Sequence, residues 1–263
     1  MSFVDIFNFT DNKINFGIPV TSTSQEGSVT YQKVYYTYGG ENFYFEIPNV
    51  EIVINSNSKK KYEAYSCKIK LSTCKQAEKV VDVFNKIYEA TAKYIEANKA
   101  KLNFKNKNKF KAEKAEECGL ATPLYYITDK ETGERASKYP LIYANMVINN
   151  KNKTILKYPT GIKSFGQLDW QKYLGYQIVC IPIVTISNIF VGSDGSLRIQ
   201  LQLKSATVTD IKEGVDLDQS QSFSKYGEEI DFTNFKLPSF ESKSVKHEED
   251  NEIEDLDNIL KND

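Results

Sequence analysis

Histidine is almost absent: the chain of 263 residues has one, His247, set among acids near its C-terminal end. Ser-His-Asp or Cys-His catalysis would have to recruit that residue, so the composition argues against an enzyme of either kind. The cysteines, Cys67, Cys74, Cys118 and Cys180, contain no Cys-x-x-Cys pair. Without histidines beside them they form no zinc-ligand pattern; they are expected to be reduced, with Cys180 in a core strand. No Gly-x-x-x-x-Gly-Lys-Ser/Thr loop, Gly-x-Gly-x-x-Gly turn or Gly-x-Ser-x-Gly elbow occurs, so no nucleotide cofactor is expected. Apolar runs are too short to cross a bilayer, and Met-Ser-Phe-Val-Asp-Ile-Phe at the start lacks the basic and apolar regions of a signal peptide. The expectation is a soluble, intracellular protein with no metal and no membrane contact.

Arginine is nearly as scarce, with only Arg135 and Arg198, so positive charge is carried by lysine. Lysine suits unspecific attraction to phosphate better than planar, bidentate reading of base edges. The formal net charge of -1 hides a division. Residues 241–263 hold nine acids and three lysines, which leaves 26 acids and 31 bases in residues 1–240, a net of +5. A basic body with an acidic tail is informative about partners.

What is present is mostly β pattern. In the stretch from Tyr176 to Val208, Leu197, Ile199, Leu201 and Leu203 alternate with Arg198, Gln200, Gln202 and Lys204, the period of a half-buried strand. Gly192 to Ser196 connects it to the preceding apolar run as a hairpin. Pro182 has no N–H to give a ladder, so that run must lie at an edge, bulge or bend there, which is how small barrels turn corners. Further strands are expected within residues 1–20, before a Thr/Ser/Gly loop over Thr21 to Ser28, and then over Val29 to Tyr38 and Phe43 to Ile47, with a hairpin turn at Gly39 to Asn42. Others are expected at Val50 to Ile54, Tyr62 to Leu71, Pro123 to Thr128, Leu141 to Ile148 and Thr154 to Tyr158, the last two forming a hairpin. One long helix is expected after an N-cap at Ser72 or Thr73. Val80, Val81, Phe84, Ile87, Tyr88, Thr91, Tyr94 and Ile95 recur there at three and four, and no Gly or Pro falls between Cys74 and Lys99. Ser164 to Leu174 reads as a short helix with Trp170 as its anchor. Beyond Ile211 the chain turns polar, and beyond Ser239 its composition is that of a disordered acidic tail.

Three features bear on function. Tyrosines from Tyr31 to Phe45 fall on both parities of a strand, Tyr31 and Tyr35 on one and Tyr36 and Tyr38 on the other. Packing accounts for most tyrosines on a sheet, but rings on both faces, beside Lys33, also offer platforms for nucleobases. From Lys99 to Lys114, lysines at 99, 101, 105, 107, 109, 111 and 114 interleave with Phe104 and Phe110, against Glu113 alone. A solvated helix end explains such a run as readily as a track for a phosphate backbone. Lys59, Lys60 and Lys61 at a loop tip are a weaker version. In the tail, Ile253, Leu256, Ile259 and Leu260 among the acids have the look of a short motif that folds onto a partner groove.

The late strand Ile-Pro-Ile-Val-x-Ile-x-x-Ile-Phe-Val-Gly, the strand Ser-Leu-x-Ile-x-Leu-x-Leu-x-x-Ala-x-Val, the inserted helix and the acidic tail together resemble the single-stranded DNA-binding proteins of large nucleocytoplasmic DNA viruses. These are similar to the phage-type OB-fold proteins of the same activity. Phage-type tails end in an aromatic residue, whereas this one ends Ile-Leu-Lys-Asn-Asp. The resemblance implies a mainly β (α+β) chain: an OB-like β-barrel over residues 1–240 with one long inserted helix, and an acidic tail over 241–263. It implies sequence-independent binding of single-stranded DNA in viral replication, recombination or repair, in the host cytoplasm or nucleus, with no enzymatic activity. Nucleic-acid contacts would come from Lys33, Tyr35, Tyr36, Tyr38, Lys59, Lys60, Lys61, Lys101, Phe104, Lys105, Lys107, Lys109, Phe110, Lys111 and Arg198. Replication proteins would dock on Ile253, Leu256, Ile259 and Leu260, and the pattern leaves room for a homo-oligomer. Two rival readings compete: a virion or protein-interaction β-domain, and a magnesium nuclease, for which no spaced carboxylate set is seen.

Overall fold

A computed structural model describes residues 3–23, 29–56, 65–129, 131–148, 153–160 and 164–212. All belong to one compact unit, Met1–Leu217. The acidic tail and Lys59, Lys60 and Lys61 lie outside the described residues.

The chain opens with β1 (Phe3–Val4), β2 (Ile14–Phe16), β3 (Val20–Thr23), β4 (Thr30–Tyr38) and β5 (Tyr44–Glu46). Next come β6 (Val50–Ser56), β7 (Tyr65–Lys70) and the helix α1 (Ala77–Asn98). Two short strands, β8 (Leu120–Ala121) and β9 (Leu124–Tyr125), precede β10 (Leu141–Met146), β11 (Ile155–Pro159) and β12 (Phe165–Gln167). The last are β13 (Gln177–Val191) and β14 (Leu197–Lys212).

Five of these strands close into a barrel. β6, β7 and β10 pair antiparallel in succession, β10 pairs β14 in parallel, β14 pairs β13 antiparallel, and β13 returns to β6. In chain order this is a three-stranded meander followed by a hairpin whose second strand lies parallel to the third, the order of an OB-like Greek-key barrel. The fold is mixed α/β, with extra strands and one long helix added to the barrel. Alternation fills the interior: Ile52, Ile54, Cys67, Ile69, Ile142, Ala144, Ile178, Cys180 and Leu203 are fully buried. A barrel of this size has room inside only for side chains.

The long hairpin expected at Gly192 to Ser196 forms, with β13 and β14 paired from Val191↔Leu197 to Gln177↔Lys212. β13 changes partner along its length, from β6 at Gln177 to Cys180, to β5 at Ile183 to Thr185, to β4 at Asn188 to Val191. Register shifts fall between Val179 and Cys180, Ile183 and Val184, and Ile186 and Asn188. Pro182 sits in the first change of partner, where no neighbour needs its missing N–H, while its carbonyl accepts from the Ile47 N–H at 3.0 Å. Strands β4, β2 and β3 thereby extend the barrel wall as a side sheet.

Several local expectations are corrected. The turn after Tyr38 exists, with Gly39 and Gly40 at φ of 59° and 88°, yet β4 and β5 do not pair along their lengths; each lies on a separate stretch of β13. Likewise β10 and β11 are no hairpin. Both run parallel to β14, at Asn145↔Gln202 and Ile155↔Ser205, as one interrupted strand. Thr154 closes the interruption: its N–H donates to the Val147 carbonyl, its hydroxyl accepts from the Val147 N–H and donates to the Leu203 carbonyl. Part of the expected loop after Val20 is strand, since β3 reaches Thr23. Ser164 to Leu174 holds β12 and a 3-10 turn, Trp170–Tyr173, in which Trp170 is buried and meets Tyr65 edge-on at 5.0 Å.

The helix starts later than expected. Leu71–Thr73 is a 3-10 turn, held because the Thr73 hydroxyl donates to the Lys70 carbonyl and accepts from the Glu51 N–H, and Gln76 is the N-cap of α1. Inserted between the second and third barrel strands, α1 buries Val80, Val83, Phe84, Ile87, Thr91, Ala92 and Ile95. Phe84 reaches Phe45 at 5.9 Å and Tyr94 stacks on Phe16 at 4.4 Å. Val81, Tyr88 and Tyr94 flank that stripe half-buried.

At the far end of the barrel, Glu51 on β6 accepts from Lys70 on β7 at 3.3 Å and from Lys212 on β14 at 3.0 Å. Partial burial alone would raise its pKa, but the Lys212 and Lys70 contacts hold it below the ordinary carboxylate value. A depressed folded-state pKa adds stability above the unfolded value and loses it as pH falls through the folded one. Glu51→Gln is therefore expected to cost about 1 kcal/mol in denaturant unfolding at neutral pH. That gap should close as pH is lowered through the carboxylate range; a gap that persists in acid would show that the pair is not its source.

Candidate nucleic-acid interface

In a barrel strand every second side chain points outward. On β4, β7, β10, β13 and on β14 as far as Thr209, there is no aspartate or glutamate at any position. The outward residues of these strands include Lys33, Lys68, Lys70, Arg198 and Lys204. Cross-strand pairs bring several together: Val20 faces Lys33, Lys33 faces Phe190, Phe190 faces Arg198, and Lys68 faces Tyr143. Lys70 is tied to Glu51 at the rim. Lys204 is partly enclosed, and its burial lowers its pKa. The result is a cationic wall whose strands carry no carboxylate before Asp210 near the end of β14, and it attracts a polyanion.

Tyrosines expected together are separated by strand parity. Tyr35 is 49% exposed and faces Asn188 across the β4–β13 pair. Tyr31, on the same parity, packs on Phe190 at 5.4 Å with the Lys33 ammonium 5.2 Å from its ring. Tyr36 points the other way and is corrected to the core: it is 4% exposed, its hydroxyl lies 2.7 Å from Thr91 Oγ1, and burial pushes its pKa up. Tyr38 belongs to an aromatic cluster, stacked on Phe9 at 5.3 Å and Phe43 at 5.2 Å, with its hydroxyl accepting from the Thr10 N–H. Its ring is half-buried against these neighbours, with the Lys13 ammonium 6.0 Å from its centroid.

Phe104 and Phe110 are corrected in the same way. They are buried and meet edge to face at 5.4 Å, anchoring the segment between them. The lysines they hold, Lys101, Lys105, Lys107, Lys109 and Lys111, are all exposed. Lys111 pairs with Glu96 of α1 at 3.4 Å. Gln32 of β4 clamps the start of the segment, donating to the Lys101 carbonyl and accepting from the Asn103 N–H at 2.7 Å. The Lys105 N–H donates to the Gly195 carbonyl at 3.2 Å. Gly195 has φ of 75°, and a Cβ there would come within 2.6 Å of Lys105 Cγ and 2.7 Å of its backbone nitrogen. The lysine segment is thus docked on the tip of the β13–β14 hairpin, next to the start of β4.

The structure also exposes residues that the sequence patterns did not single out. Tyr143 is 40% and Tyr125 54% exposed, and their rings meet edge-on at 5.7 Å. Their backbone neighbours explain this: β9 pairs β10 at Tyr125↔Leu141, beside the outward Tyr143. Alternation in Leu-Ile-Tyr-Ala-Asn-Met, which places Tyr143 and Asn145 outward, is the signal that could have found them. Among the described residues no cluster of His, Cys, Asp and Glu could hold a metal ion, and no described helix is long and apolar enough to cross a membrane. Neither the known protein-family models nor the curated proteins contain a match to this chain.

Proposed function

We propose that this protein binds single-stranded DNA without sequence preference, as a stoichiometric binder and not a catalyst. The observation that carries the reading is the OB-like barrel whose wall of β4, β13, β10, β7 and β14 as far as Thr209 lacks acids and bears lysines, Arg198 and exposed tyrosines. OB barrels use the face of their second and third strands, and the loops after the first and fourth, to take oligonucleotides. Here those strands are β7 and β10; the first connection spans residues 57–64, which include Lys59, Lys60 and Lys61 and lie outside the described residues, and the other is Gly192 to Ser196, against which Lys105 sits. Lysine-rich attraction with ring stacking, and few arginines, suits coating over base-specific reading.

The wider role follows the resemblance: service in replication, recombination or repair of a large DNA virus at its site in the infected cell. In that role the acidic residues 241–263 recruit replication proteins through Ile253, Leu256, Ile259 and Leu260. Fluorescence anisotropy with single-stranded and duplex oligonucleotides over a salt series tests the activity. Single strands should bind tighter, and log K should fall linearly with log salt by about 0.7 per neutralised phosphate. Equal affinity for duplex, or binding indifferent to salt, would overturn the proposal.

A further inference from the structure

The outer wall carries, beside its cations and rings, a set of carboxamides. Their register is continuous. Gln202 on β14 faces Asn145 on β10, Asn145 faces Ser66 on β7, and Ser66 faces Asn55 on β6. One row away, Asn188 on β13 lies between Tyr35 on β4 and Gln200 on β14. Directly opposed residues share a face, so these amides lie within the wall that holds Tyr35, Tyr143, Lys68 and Arg198.

Their hydrogen bonding is incomplete. Asn188 is 5% exposed and its Oδ1 has no partner among the described residues, and Asn55 Nδ2 is likewise buried without one. The side chains of Asn145, Gln200 and Gln202 make no hydrogen bond to a described residue. Asn145 is exposed and Gln200 and Gln202 are half-buried, so these three present open donors and acceptors on the wall, whereas the orphaned atoms of Asn188 and Asn55 lie beneath its surface. Lysines and tyrosines account for phosphates and base faces. Neither accounts for neutral donors and acceptors in rows.

A carboxamide presents a donor and an acceptor side by side and can turn over to exchange them. Every base has, on its Watson–Crick edge, an adjacent donor and acceptor in one order or the other. A duplex has those edges occupied, whereas a single strand offers them. Resting on the single-strand reading above, we infer that Asn145, Gln200 and Gln202 meet the Watson–Crick edges of bound bases. They set the preference for single over double strands. Because each amide accepts either order, the contact selects unpaired bases without selecting a sequence.

The test uses the full chain and two oligonucleotides of equal length, one of thymidine and one with difluorotoluene in place of thymine. The substitute keeps the ring's shape and stacking and removes its hydrogen-bonding edge. Wild-type protein should bind the thymidine strand about tenfold tighter or more, from two or more hydrogen bonds per bound segment. The variant Asn145→Leu, Gln200→Met, Gln202→Met should bring the two strands to near parity, with its salt slope unchanged because no charge was removed. Equal wild-type affinity for the two strands would overturn the inference whatever the variant does, as would a folded variant that still prefers thymidine. A wild-type protein that binds neither strand would overturn the single-strand reading itself, and thermal melting of the variant confirms its fold.

Discussion

Replacing Tyr35, Tyr125 and Tyr143 by alanine is expected to weaken single-strand binding by about 1 to 3 kcal/mol for each ring on which a base stacks. Tyr125 and Tyr143 touch, so the effect of removing both should be smaller than the sum of the two single effects. The salt slope should stay constant, since rings neutralise no phosphate. Tyr36→Phe is the matched control. Its hydroxyl bonds to Thr91 in the core, so the change should cost about 1 kcal/mol of stability and leave affinity as it was. Anisotropy at several salt concentrations, with denaturant unfolding of each variant, checks both halves. If Tyr36→Phe weakened binding while the three alanines did not, the assignment of outward and inward rings would be wrong.

The second large effect is expected from the lysine segment. Changing Lys105, Lys107, Lys109 and Lys111 to glutamine should weaken binding to all sequences alike and reduce the magnitude of the salt slope by up to about 3, near 0.7 for each phosphate that is no longer neutralised. Phe104 and Phe110 stay in place, so the fold should be unaffected. Gly195→Val attacks the same segment through its docking site. A side chain there clashes with Lys105, and φ of 75° disfavours a β-branched residue. Affinity should fall although no charge is removed. An unchanged salt slope in the quadruple variant would mean that these lysines are only a solvated surface.

How much of the fold and the wall was legible in the sequence depended on whether the cause was local. The β13–β14 hairpin, the break in β13's outer pairing at Pro182 and the stripe of α1 follow from period, turn residues and a missing N–H. Partnering was not legible. Gly39-Gly40 makes the chain reverse, but whether β4 then pairs with β5 or with β13 depends on a strand more than 130 residues away. The same holds for β10 and β11, which read as a hairpin because both alternate across a polar loop, yet share β14. Phe104 and Phe110 looked like part of a nucleic-acid track because they alternate with lysines. They are anchors because Gln32 and Gly195 hold the backbone against the barrel, which spacing alone does not encode. Tyr125 and Tyr143 are the opposite case: 18 residues apart and flanked by ordinary strand residues, they become neighbours only through the β9–β10 pair.

The placement of the strand on the outer wall is tested most directly by ultraviolet cross-linking of a single-stranded oligonucleotide to the full chain, with the attached peptides identified by mass spectrometry. Attachment is predicted on the peptides that carry Tyr35, Tyr125 and Tyr143, abolished when competing unlabelled single strands are added and retained when duplex is added. Attachment confined to peptides of α1, which carry Tyr88 and Tyr94, would contradict it.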